Sequence, residues 1–229
     1  MRLGTIRWAG SALAVTGIAL VLLLHYLVLF VVSTEAEQGI VQRIFYVHVP
    51  SAWVAFFAFG ICAVCSIVYL WLGDERLDMA AVSAAEGGMV FTTVVLLTGP
   101  VWGKIAWGTY WTWDPRLTLT LLLWFVFLGY FLVRSSTVNP ERGRRLAAIV
   151  AVVGVADIPF IHVSVTWLRS LHPPPVFLNP DGPTLETDMM LTLLLGFLAF
   201  TLLFLGLFLF RLGLERVSRH VDGVQGGRR

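Results

Sequence analysis

The chain has 229 residues, of which 58% are hydrophobic and only 13% charged, with a formal net charge of +2. Its mean hydropathy of +0.82 excludes a soluble globular domain, because apolar runs long enough to cross a ~30 Å hydrocarbon core recur along it. So small a net charge makes no case for nucleic acid as a partner, whereas the composition makes membrane lipid one.

Six apolar runs predict an all-α integral membrane protein, a single six-helix domain over residues 1–229. They lie at 10–32, 49–72, 87–101 with a backward extension through 80–86, 117–133, 146–166 and 189–210. The first is too long for a signal-peptide core and has no small-x-small cleavage site after it, so it is read as a retained helix. With a cytoplasmic amino terminus, twelve of the 16 Lys and Arg residues fall on one side, leaving Arg43, Lys104, Arg116 and Arg169 on the other. That asymmetry obeys the positive-inside rule. It predicts cytoplasmic termini with a tail at 211–229, and outer loops at 33–47, 102–116 and 167–188.

Along the chain, His25 falls inside the first span, where an ionisable residue is a functional candidate unless it only bonds within the bundle. His48 stands on the outer side in RIFYVHVPSAW, just before a helix that Pro50 is suited to open at its first turn. A helix N-terminus disfavours an imidazolium, and the neutral imidazole is the form that binds a metal. Cys62 and Cys65 form a CxxC in mid-span, where lipid supplies neither water nor a cation to activate a thiol, so they read as small buried hydrophobes.

The third and fourth spans are joined by WGKIAWGTYWTWDPRLT, residues 102–118. Trp102, Trp107, Tyr110, Trp111 and Trp113 crowd twelve positions beside Gly103, Gly108, Lys104, Asp114 and Arg116. Aromatic belts anchor helices at membrane interfaces. Anchoring, however, requires neither glycines that admit close approach nor interleaved charges, and so dense a set of flat rings predicts a platform for a flat ligand. Trp107 and Trp111 share a face if the segment is helical, while Trp113 needs a turn, which Asp114-Pro115 supplies.

In the fifth run, Asp157 and Pro159 predict a kinked helix or a cavity wall, and His162 lies about 140° around the helix from Asp157. Beyond it, His172 precedes three prolines that stiffen the outer loop. Two outer histidines match the two axial positions of a haem iron, with the aromatic platform between them in sequence. Arg43 and Arg116 are the favoured partners for haem propionates, since a guanidinium fork matches a carboxylate. Among the motifs sought, there is no phosphate-cradling loop, no Ser-His-Asp spacing and no internal repeat, which argues against an ATPase or hydrolase on this chain.

YVHVPSAW, GPVWGKIAWGTYWTWDPRLT and IPFIHVSVTWLRSLHP, with the six-span length, resemble the cytochrome c maturation protein C (haem exporter protein C) family of the tryptophan-rich "WWD" haem-handling superfamily. Tyr110 stands where many members carry tryptophan, and a phenol still stacks. The resemblance implies a non-enzymatic haem relay in a bacterial inner membrane or an organelle derived from one. Haem b, as transferred ligand, would be held by His48 and His172 as iron ligands, over Trp102, Trp107, Tyr110, Trp111 and Trp113, with Asp114, Arg43 and Arg116 in the site. It also implies partners: the membrane-tethered haem chaperone, cytochrome c maturation protein E, the small maturation protein D, and the ATP-driven pair of maturation proteins A and B. Two other readings stay open, an intramembrane b-type electron carrier using His25 and His162, and a solute transporter built around Asp157.

Overall fold

The computed structural model describes residues 3–173 and 185–226, and every described element is helical. In chain order these are α1 (Leu3–Phe30), a 3-10 helix (Ile40–Ile44), α2 (Phe45–Leu72), α3 (Glu75–Trp107), α4 (Pro115–Ser136), α5 (Pro140–Val155), α6 (Asp157–Trp167) and α7 (Thr187–Gly226). Among the described residues, six spans are long and apolar enough to cross a membrane, the fifth being α5 and α6 together over Pro140–Trp167. The bundle therefore runs up and down six times, with a tryptophan end and an arginine end.

The central pair, α2 and α3, carries α1 and α7 on one side and α4, α5 and α6 on the other. Lipid offers no hydrophobic drive between helices, so close backbone approach at small residues does the work. Gly17 lies against the Leu203 backbone and Gly206 against that of Ala14, where no Cβ has room. Opposite, Phe59 of α2 stacks on Phe127 of α4 with centroids 3.7 Å apart. That contact joins the two helices near mid-span.

At the arginine end, buried Asp78 of α3 accepts both forks of Arg134 at 2.6 and 2.7 Å and Arg219 at 2.5 Å. One carboxylate thus ties α3 to α4 and α7. The fifth span breaks at Ala156: Pro159 has no N–H for the carbonyl of Val155 and its ring crowds that atom, so α5 stops at Val155. Cys62 is buried, Cys65 half-buried, and both are free.

Candidate functional site

The tryptophan end is built by two helix ends and a loop. Helix α3 continues through Trp102 to Trp107, so the first half of the tryptophan segment is helical rather than loop. It stops where Gly108 adopts a left-handed φ of 79°. Asp114 then caps α4, accepting from the Arg116 N–H at 2.9 Å, with Pro115 in the first turn. Helix α2 also starts earlier than Pro50 suggests. The 3-10 helix runs straight into it at Phe45, which places His48 inside the first turn and Pro50 beyond it.

His48 is buried, with Nδ1 2.8 Å from Thr98 Oγ1. That hydroxyl spends its single proton on the Val94 carbonyl at 2.8 Å, so the imidazole is the donor. The tautomer is Nδ1–H, and the lone pair sits on Nε2. Trp102 sets an edge against the ring, centroids 5.8 Å apart, and donates Nε1–H to Gln38 Oε1 at 2.7 Å. Gly99 leaves the ring its space, since a Cβ there would stand 3.3 Å from Cε1 of His48.

His172 reaches the same tautomer by another route. Its Nδ1–H donates to the Pro173 carbonyl at 2.9 Å, an atom that only accepts. The segment before it is pinned by Asp114, whose carboxylate accepts the Leu171 N–H at 2.7 Å and the Ser170 hydroxyl at 3.1 Å. The Ser170 oxygen in turn accepts the N–H of His172 at 3.1 Å. Burial, and then the Arg116 guanidinium, push the His172 pKa down to about 4, so the imidazole is neutral at physiological pH.

Both histidines line one cavity of about 330 Å³ between α2, α3, the first turns of α4 and the 171–173 segment. That volume falls within the roughly 300–1,000 Å³ of small-molecule sites. Its mouth is aromatic and polar, with Gln38, Trp102, Trp107, Trp111 and Arg116, and its depth is mainly apolar, with Ala52, Ala55, Phe56 and Val95 beside Thr92 and Thr120. Nη1 of Arg116 is buried with no hydrogen-bond partner among the described residues. A guanidinium N–H without an acceptor among the described residues, beside two imidazoles with Nε2 lone pairs, has the chemistry to bind an anionic, metal-bearing guest.

The sequence profile of the family described as Heme exporter protein C matches residues 4–225. The chain belongs to the heme exporter protein C family. It is 37% identical to the "Heme exporter protein C" of Bradyrhizobium diazoefficiens, over 83% of this chain and 73% of that one. For the protein of the same name in Haemophilus influenzae the identity is 34%, over 79% and 74%. A "Putative cytochrome c biosynthesis ccmC-like mitochondrial protein" of Marchantia polymorpha is 34% identical, over 76% and 74%. Membership of the heme exporter protein C family and six spans make this a multi-pass protein of the bacterial inner membrane that handles haem in cytochrome c biogenesis.

Of the site residues expected in this heme exporter protein C relative, the cavity gathers His48, His172, Trp102, Trp107, Trp111 and Arg116, with Asp114 bracing it from behind. Three others stand apart from its lining. Arg43 turns back to donate to the Leu29 carbonyl at 3.0 Å, Trp113 is 77% exposed, and Tyr110 is 62% exposed beneath the Lys104 ammonium. Trp107 and Trp111 meet in the cavity although the helix ends between them. Thr98 and Gln38 join the site without being marked by the motifs. Thr98 had a weak signal, one turn before Trp102 on the same face of α3, and Gln38 had none. His25 on α1 and His162 on α6 are not brought together, since α1 packs chiefly on α7 and α6 on α4. Pro174, Pro175 and the rest of the third outer loop to residue 184, like Arg2, Arg228 and Arg229, lie outside the described residues.

Proposed function

We propose that this cavity receives haem b as cargo on the outer face of the inner membrane and passes it, without catalysis, to a membrane-tethered haem chaperone for cytochrome c biogenesis. What carries the reading is that His48 and His172 line one cavity as Nδ1–H tautomers, so each keeps an Nε2 lone pair with which to ligate an iron bound there. The twelve-to-four split of Lys and Arg supports the outward orientation.

In this role Trp102, Trp107 and Trp111 flank the porphyrin, and Arg116 takes a propionate through the N–H left without an acceptor among the described residues. The deeper apolar residues accept the hydrocarbon edge. Tyr110 and Trp113, exposed on the loop that carries Trp111, offer stacking area as haem passes to the chaperone, and Arg43, in the 3-10 helix just before α2, would reach a propionate only by leaving the Leu29 carbonyl. The partners of this step are cytochrome c maturation protein E as the chaperone, with maturation proteins A, B and D as the surrounding export machinery.

The test is transfer itself. Co-expression with the chaperone should yield chaperone carrying covalent haem with the wild-type chain and none with His48→Ala or His172→Ala. Chaperone loaded to wild-type levels by both variants would contradict the relay.

A further inference from the structure

The cavity reaches well below its two histidines. Ala52 and Phe56 lie one and two turns beyond His48 along α2, which puts the floor about 12 Å deeper, level with hydrocarbon rather than headgroups. Its walls come from α2, α3 and α4, and they meet at three seams. Helices α2 and α3 are closely packed throughout. Between α3 and α4, Trp124 donates Nε1–H to Thr93 Oγ1 at 2.9 Å, directly beside Thr92 and Thr120 of the lining.

The third seam, between α2 and the α4–α6 pair, is different. Phe59 on Phe127 and buried Ile161 close its lower part. Above them the closure is a ring contact, Phe56 of α2 against His162 of α6, with centroids 5.2 Å apart and planes tilted by 56°. Phe56 faces the cavity on one side and His162 on the other, and His162 is exposed on the lipid-facing side of the bundle. The imidazole gives its Nδ1–H to its own helix, at the Ile158 carbonyl 3.0 Å away, which leaves Nε2 with a free lone pair. His25 has the same internal bond, to Val21 at 2.7 Å, but stands on α1, outside the lining of this cavity. Position, not the internal bond, sets His162 apart.

We propose that haem enters this cavity sideways from the membrane, between α2 and α6, with His162 Nε2 as its first iron ligand and Phe56 as the movable ring between that ligand and the chamber. The proposal rests on the haem reading above. An amphipathic, flat metalloporphyrin dissolved in the outer leaflet meets an imidazole at hydrocarbon depth. Rotation of one phenyl side chain, which no hydrogen bond restrains, then opens the slot toward His48 and His172. Only iron–nitrogen bonds are exchanged on this path. The iron keeps its oxidation state and no proton moves, because all three imidazoles already carry theirs on Nδ1.

The experiment follows the rate of loading. The full chain in phospholipid vesicles is mixed with vesicles carrying haem, and the rise of the two-imidazole haem absorption bands is recorded. His162→Phe keeps an aromatic ring against Phe56 and removes the ligand. Phe56→Trp keeps a ring and enlarges the obstruction. Both should load several-fold more slowly than wild type and reach the same final spectrum, with His25→Ala loading at the wild-type rate. Should His162→Phe fail to give that final spectrum, His162→Ala serves in its place. A wild-type loading rate without the His162 imidazole overturns the proposal and leaves the outer relay site standing. No two-imidazole spectrum in the wild-type chain, or one that survives in His48→Ala, overturns the haem reading and this inference with it.

Discussion

Nδ1 of His48 and Oγ1 of Thr98 are 2.8 Å apart, and the threonine proton is already committed to Val94, so a hydroxyl on α3 decides which nitrogen of an imidazole on α2 is free. Thr98→Val removes the acceptor and keeps the shape. It should lower haem affinity about 10–100-fold, as loss of a ligand's hydrogen-bond partner commonly does, whereas Thr98→Ser should stay near wild type. Haem titration of the purified variants checks both. Gly99→Ala, which presses a methyl toward the same ring, should weaken binding in the same assay.

Acid should act late on this site. Because the folded-state pKa of His172 is depressed to about 4 by burial and by Arg116, the docked imidazole resists protonation. An unfolded or undocked segment takes up its proton near the ordinary value of about 6.5. Acidification between those two values therefore favours undocking, and the neutral ligand is fully available above them. Haem affinity should be flat above about pH 6.5, weaken gradually below it as undocking is favoured, and fall steeply only as pH approaches about 4, whereas a solvent-exposed histidine would lose its ligand steeply near about 6.5. Arg116→Gln removes one cause of the depression and should move the fall to higher pH in a titration followed by absorption.

Asp114 ties the tryptophan loop to the histidine segment through Leu171 and Ser170 while capping α4. Asp114→Ala should free residues 170–172, seen as faster amide hydrogen exchange there. It should shift haem from two-imidazole to mixed ligation while haem remains bound through His48. Unchanged exchange at Leu171 would show that the carboxylate does not position His172.

At the far end, Asp78→Ala should destabilise the bundle without touching the site. It strands Arg134 and Arg219 around a position only 2% exposed, and breaking a buried pair from one side costs about 3–5 kcal/mol. Thermal unfolding in detergent should show the loss, with the haem spectrum at low temperature unaltered.

Much of this could be read from residue order. Six spans follow from hydropathy, and the Asp114-Pro115 helix start is visible in the local sequence. Helix α3 ran past its predicted end because Lys104 and the tryptophans look like loop residues yet are stable at a helix terminus in the interfacial region. Only Gly108 breaks the helix. The turn of Arg43 toward the Leu29 carbonyl depends on the 3-10 helix at Ile40–Ile44, whose residues carry no periodic signal. Gln38 and Thr98 act through partners 64 and 50 positions away, Trp102 and His48, and no local pattern encodes such pairings.

Relay through this cavity requires one iron held between His48 and His172. Electron paramagnetic resonance of the oxidised, haem-loaded chain tests it directly. A low-spin signal typical of two imidazoles in the wild type, converting to high-spin or altered ligation in His48→Ala and in His172→Ala, is the predicted result. An unchanged low-spin signal in both variants would contradict it.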